Sequence, residues 1–170
     1  MKKVIPLITK EKEEKIKKQR QVIEKEKWEF EDFYYIPENQ HPILFDKIDE
    51  NDEKIKNKMI QQIDRKISGY KSQDKEKSLF DETLFINRNQ VLELLKECDC
   101  KCYYCNEKVH ILYKQVREPK QWSLERIDNK YGHNSNNLKI ACLDCNLRRR
   151  TMFHERYTFT KQLKIVKKDI

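Results

Sequence analysis

Glycine and proline are scarce in this chain, and long apolar runs are absent. Its 170 residues include only two Gly and four Pro, which argues against low-complexity linkers. No run of 18 apolar residues occurs, so no membrane span is expected. The basic start after Met1 is not followed by an apolar segment, so no signal peptide is expected either. Charged residues (39 %) outnumber hydrophobic ones (37 %), which predicts a modest core in one domain, or in a small domain with an extension.

Cysteine, in contrast, is plentiful. Six Cys without a secretion signal indicate an intracellular, reducing compartment and metal binding rather than disulfides. Two Cys-x-x-Cys pairs, Cys102/Cys105 and Cys142/Cys145, are separated by 36 residues. A lone pair is equally typical of a redox motif, but four thiolates satisfy a tetrahedral zinc ion. The spacing therefore predicts a structural Zn²⁺ site, and the two remaining cysteines are spare thiols.

The charge is distributed unevenly along the chain. Residues 1–97 hold 21 Lys+Arg and 21 Asp+Glu, whereas residues 98–170 hold 16 and 8, so the net charge of +8 lies wholly in the second part. Such an excess concentrates polyanions, and nucleic acid is the obvious one, although a generic basic surface is the alternative. We therefore divide the chain into a charged helical region, 1–97, and a zinc-binding module, 98–170.

The first part begins with a segment dense in Lys and Glu. Residues 10–33 carry an apolar side chain every seven residues. This pattern predicts a largely solvated helix, one face of which packs against the rest of the protein or against a protein partner. Pro37 and Pro42 follow and are expected to interrupt helical structure.

Two further helices are predicted before the first cysteine pair. Apolar residues at four-residue spacing indicate a helix over 52–68, which Gly69 ends as a C-cap. The polar segment 70–77 is then expected to form a loop. A third helix, capped by one of two asparagines, runs through Glu97.

Between and after the cysteine pairs, the pattern predicts a hairpin and a helix. Residues 123–128 and 137–142 are expected to form antiparallel strands, joined by a long loop that contains Gly132. Residues 143–153 are predicted to continue as a helix. The segment 109–113 fits a strand or a short helix, and the tail near Tyr157 has β-prone residues. The predicted fold class is α+β, with a helical N-terminal half and a zinc-stapled ββα module.

The order of motifs over residues 102–150 resembles that of the HNH endonucleases, the ββα-metal nuclease family. The first cysteine pair is followed by Glu125-Arg126, then by Asn137-Leu138, and then by the second pair ending in Cys145-Asn146. The amino-acid sequence of this stretch also resembles those of HNH-type proteins of large DNA viruses. This resemblance implies that the protein acts in the host cytoplasm or in the virion.

This resemblance implies a second metal and a set of roles. The family's ββα unit binds one divalent ion, usually Mg²⁺ or Mn²⁺, which contacts the scissile phosphate. Glu125 and Asn146 match the family's metal-binding acid and its final Asn, and hard cations favour such oxygen ligands. Asn137 matches the Asn that braces the hairpin loop, which is a structural role.

Arg126 departs from the family pattern, because it occupies the position of the catalytic His. A guanidinium stays protonated and cannot act as a base, but it can clamp a phosphate. His133, in the hairpin loop after Gly132, is the best candidate for the general base, since a histidine titrates near neutral pH. Asp128 is the second candidate.

Three consecutive arginines, Arg148, Arg149 and Arg150, follow on the last helix and are predicted to meet the DNA backbone. The predicted function is that of a metal-dependent DNA endonuclease of HNH type, which hydrolyses phosphodiester bonds. The alternative is a non-catalytic DNA-binding or virion structural protein on a degenerate HNH scaffold. A weaker third interpretation is a zinc ribbon used only for protein contacts.

Overall fold

The computed structural model describes residues 30–46 and 50–163. The charged helix predicted over 10–33 therefore lies outside the described residues, apart from its last four. In the described part, no helix has the length and apolar character needed to cross a bilayer.

The described residues form an α+β structure in which helices precede and follow a small antiparallel sheet. The helices are α1 (Pro37–Phe45), α2 (Glu50–Glu76), α3 (Arg88–Glu97), α4 (Leu143–Arg149) and α5 (His154–Gln162), and the strands are β1 (Trp122–Arg126) and β2 (Leu138–Cys142). Short 3₁₀ turns lie at Asp32–Tyr35 and Ser135–Asn137. Helix α3 begins with the predicted asparagine cap, because the Asn87 side chain accepts a hydrogen bond from the Gln90 N–H.

Helical structure is interrupted at Ile36, directly before Pro37, as expected, but Pro42 does not continue the break, because it lies inside α1. Pro37 is the first residue of the helix, where its missing N–H is no loss. Gln40 of the same helix is buried, and its Oε1 accepts hydrogen bonds from the N–H groups of Ile111 (2.7 Å) and Leu112 (3.1 Å). The segment 109–113, for which a strand or a short helix was predicted, is neither. Gln40 accepts hydrogen bonds from two of its backbone N–H groups in place of a regular element.

Helix α2 extends about two turns beyond its predicted C-terminal end. Gly69 does not end it, and the segment expected to be a polar loop forms its last turns. Those turns are held by distant partners: the Tyr70 hydroxyl accepts a hydrogen bond from the Leu124 N–H (3.1 Å), and Asp74 accepts one from the His133 N–H (2.6 Å). Tertiary contacts thus override the local stop signal.

The two strands pair antiparallel, with Trp122 opposite Cys142 and Glu125 opposite Lys139. Their bounds lie within two residues of the predicted ones. Helix α2 covers the free edge of β1. The Lys66 side chain donates a hydrogen bond to the Trp122 carbonyl, and the Tyr70 hydroxyl accepts one from the Leu124 N–H. This contact leaves the edge closed to pairing with another chain.

The C-terminal helix prediction was wrong in its extent. Helix α4 ends at Arg149, where Arg150 takes a positive φ of 52°, and the chain then forms α5. The β-prone residues 157–160 lie in α5 and form no strand. Tyr157 is buried there, with its ring 4.9 Å from that of Tyr104. An aromatic contact, rather than strand propensity, decides this segment.

Buried side chains from both halves of the chain form one hydrophobic core. Trp122 and Tyr104 are its largest fully buried members, and Met59 and Ile63 join it from α2. The shared core holds α2 against the sheet and so positions the last turns of α2 beside the hairpin loop. The domain boundary predicted at residues 97/98 stays a prediction.

Candidate functional site

The four cysteines of the two Cys-x-x-Cys pairs meet at one point. The Sγ atoms of Cys102, Cys105, Cys142 and Cys145 all lie within 4.8 Å of one another, and those of Cys105 and Cys142 are 4.0 Å apart. Zinc–sulfur bonds of about 2.3 Å in a tetrahedron place sulfurs roughly 3.8 Å apart. A small contraction is sufficient, so this cluster can hold a metal ion such as zinc.

The backbone around each pair explains why the sulfurs converge. The first pair lies in a tight turn, in which the Asn106 N–H donates to the Cys102 carbonyl (2.9 Å) and Asn106 takes a positive φ of 58°. The second pair spans the junction of β2 and α4, where Cys142 is the N-cap and its Sγ accepts from the Cys145 N–H (3.4 Å). A metal here would tie the irregular segment before β1 to the sheet and to α4.

The thiols of the cluster perturb one another's protonation. A hydrogen bond from the Cys142 thiol lowers the pKa of Cys102, and the same contact raises the pKa of Cys142. Metal ligation replaces such protons, since cysteine binds as the thiolate. Cys98 and Cys100 lie outside the cluster, and burial raises the pKa of both.

A cationic cleft of about 350 Å³ lies between the last turns of α2, the hairpin loop and α4. We use this name for the space lined by Lys77, Arg126, Arg149, Arg150, His133, Tyr70, Gln73, Asn129, Asn146, Leu124 and Leu147. Four of these residues are cationic and none is a carboxylate. Such a lining attracts a phosphate group and repels a free metal cation.

His133 is held rigidly at the wall of the cationic cleft. Only 4 % of the residue is exposed, and its ring lies 4.4 Å from that of Tyr70. Its Nδ1 is 2.8 Å from Asp74 Oδ1, and its backbone N–H donates to Asp74 Oδ2. Its carbonyl accepts a hydrogen bond from the Ile86 N–H (3.0 Å). The imidazole therefore has one orientation.

Asp74 also fixes the tautomer of His133. Because the carboxylate is an acceptor, Nδ1 carries the proton and Nε2 keeps its lone pair. Burial lowers the pKa of His133, and the Asp74 carboxylate opposes that shift. The ring is thus neutral near pH 7, which is the form that a general base requires.

Gly132 permits the close approach of the hairpin loop to α2. A Cβ at this position would lie 2.4 Å from the Leu79 carbonyl oxygen and 2.7 Å from Asp74 Oδ2. A larger residue would push the loop away from α2 and stretch the contact between His133 and Asp74.

Arg126 and Asn146, both predicted site residues, line the cationic cleft. Arg126 donates from Nη1 to the Tyr131 carbonyl (3.1 Å). Asn146 donates from Nδ2 to Ser123 Oγ (3.1 Å) and to the Leu124 carbonyl (3.3 Å), which orients the amide. Its Oδ1 accepts no hydrogen bond from the described residues and is available to a ligand.

Glu125 does not line the cationic cleft. Only 2 % of the residue is exposed; its carboxylate forms an ion pair with Arg149 and accepts a hydrogen bond from the Tyr104 hydroxyl (3.2 Å). Burial raises its pKa, and the charge of Arg149 counters that shift. The metal-ligand prediction requires an accessible carboxylate, whereas this one is already paired behind the cleft.

The three consecutive arginines have three different environments. Arg150 is exposed and lines the cationic cleft, while Arg148 is exposed and pairs with Asp144 (2.7 Å). Arg149 is buried, and its Nη2 donates to the Arg126 carbonyl (2.7 Å) and to Asn129 Oδ1 (3.1 Å). Its guanidinium thus joins α4 to the end of β1, a role different from the predicted contact with a DNA backbone.

The remaining predicted residues lie at the base of the hairpin loop. Asn137 accepts from the Asp128 N–H (2.9 Å) and donates to the carbonyls of Asp128 (2.9 Å) and Gly132 (3.3 Å). Asp128, the second candidate base, is exposed and does not line the cationic cleft. The structure therefore brings His133, Arg126 and Asn146 to one space and leaves Asp128 outside it.

Asp74 and Tyr70 are the site residues that sequence reasoning missed. A signal was present, because Met59, Ile63, Tyr70 and Asp74 continue one helical face at spacings of four or seven residues. Gly69 and the polar residues around it masked that face.

No family model, curated protein or solved structure matches this chain. The resemblance to the HNH endonucleases therefore stays a prediction that rests on the motifs of residues 102–150.

Proposed function

We propose that this protein is a metal-dependent DNA endonuclease of HNH type, which hydrolyses phosphodiester bonds at the cationic cleft. The observation that carries this proposal is the buried pair of His133 and Asp74 beside four cationic side chains. A rigid, neutral imidazole at the wall of a cationic cleft that has room for a phosphate suits water activation next to a phosphodiester.

His133 acts as the general base in this proposal. Nε2 takes a proton from a water molecule, whose oxygen attacks phosphorus while the bond to the 3′ oxygen breaks. The leaving oxygen takes its proton from solvent. Asp74 keeps the Nδ1 proton in place and stabilises the imidazolium that forms, so it is a positioning residue.

Arg126 and Arg150 bind the phosphate. Arg126 lies at the end of β1, and its guanidinium presents a planar fork that matches phosphate oxygens. Lys77 adds charge from the end of α2. Their attraction acts on the bound substrate and on the transition state alike, so they support both affinity and rate.

Asn146 offers an amide oxygen to a hard cation, which would bind only together with the substrate phosphate, because the cationic lining repels a free ion. Mg²⁺ and Mn²⁺ accept amide oxygens, and Mg²⁺ keeps several water molecules when a substrate phosphate completes its shell. When bound, the ion supplies Lewis-acid stabilisation of the leaving oxygen. Glu125 supports the site indirectly by holding Arg149 in place. The ion in the four-cysteine cluster is a structural Zn²⁺ in this proposal.

A cleavage assay tests the proposal. The purified protein is incubated with supercoiled plasmid and with circular single-stranded DNA, with Mg²⁺, with Mn²⁺, or without added divalent ion. We expect cleavage only with the ion, and strong loss of cleavage in Asn146→Ala. Chelators are avoided, because they would also remove zinc. Cleavage that persists at full rate without added ion would refute the metal requirement.

A second candidate is supported by one observation. The cationic cleft has no carboxylate in its lining, since Glu125 is paired with Arg149. A non-catalytic DNA-binding protein on a degenerate HNH scaffold would have this property. DNA binding without cleavage under any divalent ion would favour this candidate.

A further inference from the structure

A second cleft, of about 500 Å³, lies directly beside the cationic cleft. We define it by its lining residues, Ile127, Asp128, Asn129, Lys130, Arg149, Thr151, Met152, Phe153, His154 and Glu155. Asn129 and Arg149 line both clefts, and their mutual hydrogen bond (3.1 Å) forms the wall between them. A group bound in one cleft is therefore the immediate neighbour of a group bound in the other.

The second cleft has an apolar, aromatic side that the fold does not use. The Phe153 residue is 80 % exposed, and Met152 is also exposed. The ring of Phe153 contacts no other aromatic ring in the described part of the chain. Exposed aromatic rings beside phosphate-binding cations are the arrangement on which unpaired bases stack.

The polar side of the second cleft differs from that of the cationic cleft. It carries two exposed carboxylates, those of Asp128 and Glu155, together with the cationic side chains of Lys130 and Arg149. Carboxylates repel a phosphate but accept hydrogen bonds from the amino groups of bases. The cationic cleft thus offers positive charge to a phosphate. The second cleft offers a neutral base an aromatic ring to stack on and carboxylates that accept its hydrogen bonds.

We propose that the second cleft binds an unpaired nucleobase of single-stranded DNA, next to the phosphate in the cationic cleft. This inference rests on the proposed function for the phosphate site and specifies its substrate class. Bases inside a duplex stack on one another and cannot stack on Phe153 without being extruded, which costs free energy. Single-stranded DNA is therefore the preferred ligand.

The test is a binding measurement by fluorescence anisotropy without added Mg²⁺ or Mn²⁺, so that no strand is cut. The probes are a labelled mixed-sequence oligonucleotide and the same oligonucleotide in a duplex. We expect the single strand to bind about ten-fold tighter or more, and Phe153→Ala to raise its Kd about ten-fold. Phe153→Trp should restore binding. Phe159→Ala is the matched control, because Phe159 is 66 % exposed but lies outside both clefts.

Equal affinity for duplex and single strand would overturn the inference. So would equal Kd values for Phe153→Ala and Phe159→Ala, or the absence of binding to either probe. The cleavage assay is scored separately. A protein that binds single strands through Phe153 but never cleaves them would refute the proposed nuclease and leave this inference intact.

Discussion

The residue on which most of the proposed chemistry depends, His133, is oriented by a carboxylate from another part of the chain. Asp74 raises the pKa of His133 against the effect of burial. Asp74→Asn should therefore move the acid limb of the pH–rate profile to lower pH. The rate on its plateau should also fall by roughly 10²–10⁴, because the ring loses its tautomer and orientation. Single-turnover cleavage across pH measures both effects. A lower stability with an unshifted acid limb would indicate a purely structural role.

The cysteine cluster gives a second test at the scale of single residues. Cys105→Ser should lose the metal and unfold the region around the sheet, since structural zinc contributes ~10 kcal/mol or more in small domains. Cys98→Ser is the control, because its thiol lies outside the cluster. Metal analysis and thermal unfolding provide the readouts. One zinc per chain retained in Cys105→Ser would refute the assignment.

Arg148 and Arg149 are adjacent in sequence but differ in environment, which separates structural from surface roles. Arg149→Met would leave the Glu125 carboxylate buried without its ion-pair partner, and should cost about 3–5 kcal/mol. Arg148→Met removes an exposed ion pair with Asp144 and should change stability by about 1 kcal/mol or less. Urea unfolding compares the two. Equal losses would contradict the buried ion pair.

The candidate site depends on an arrangement of two elements, in which the last turns of α2 pack against the hairpin loop. Gly132→Ala should lower the free energy of unfolding by ~1–3 kcal/mol, because its Cβ would overlap the Leu79 carbonyl. Gly69→Ala is the matched control. It lies inside α2 with open space around it, and alanine there should stabilise the helix by up to about 1 kcal/mol. Urea unfolding of both variants should give opposite signs, and the same sign would contradict the docking.

The sequence predicts some elements well for physical reasons. The strands β1 and β2 lie within two residues of their predicted bounds, because their pattern is local and Cys142 marks the end of β2. The last turns of α2 escaped prediction because Leu124 and His133, which hold them, are more than 50 residues away. The break at Arg150 likewise depends on a backbone conformation that no local signal marked.

The whole molecule combines both halves of the chain in one site. The net positive charge lies in residues 98–170, and Arg126 and Arg150 of that half line the cationic cleft. Residues 1–97 contribute Tyr70, Lys77 and, behind His133, Asp74. In the motif-bearing half, the sequence singled out Arg126, His133, Asn146 and Arg150, which line the cleft, but also Glu125, which does not. It did not identify the site residues of α2, because only the shared core places that helix beside the loop.

The most direct test of the central claim is the rate at which saturating protein cleaves labelled single-stranded and duplex DNA with Mg²⁺ or Mn²⁺. Wild type should cleave at least one of them. His133→Ala should be slower by roughly 10²–10⁴ with nearly unchanged affinity, since removing a general base affects chemistry and not binding. His41→Ala, a histidine on α1 outside both clefts, should cleave at the wild-type rate. Equal rates for His133→Ala and wild type, or no cleavage by wild type with either ion, would contradict the account.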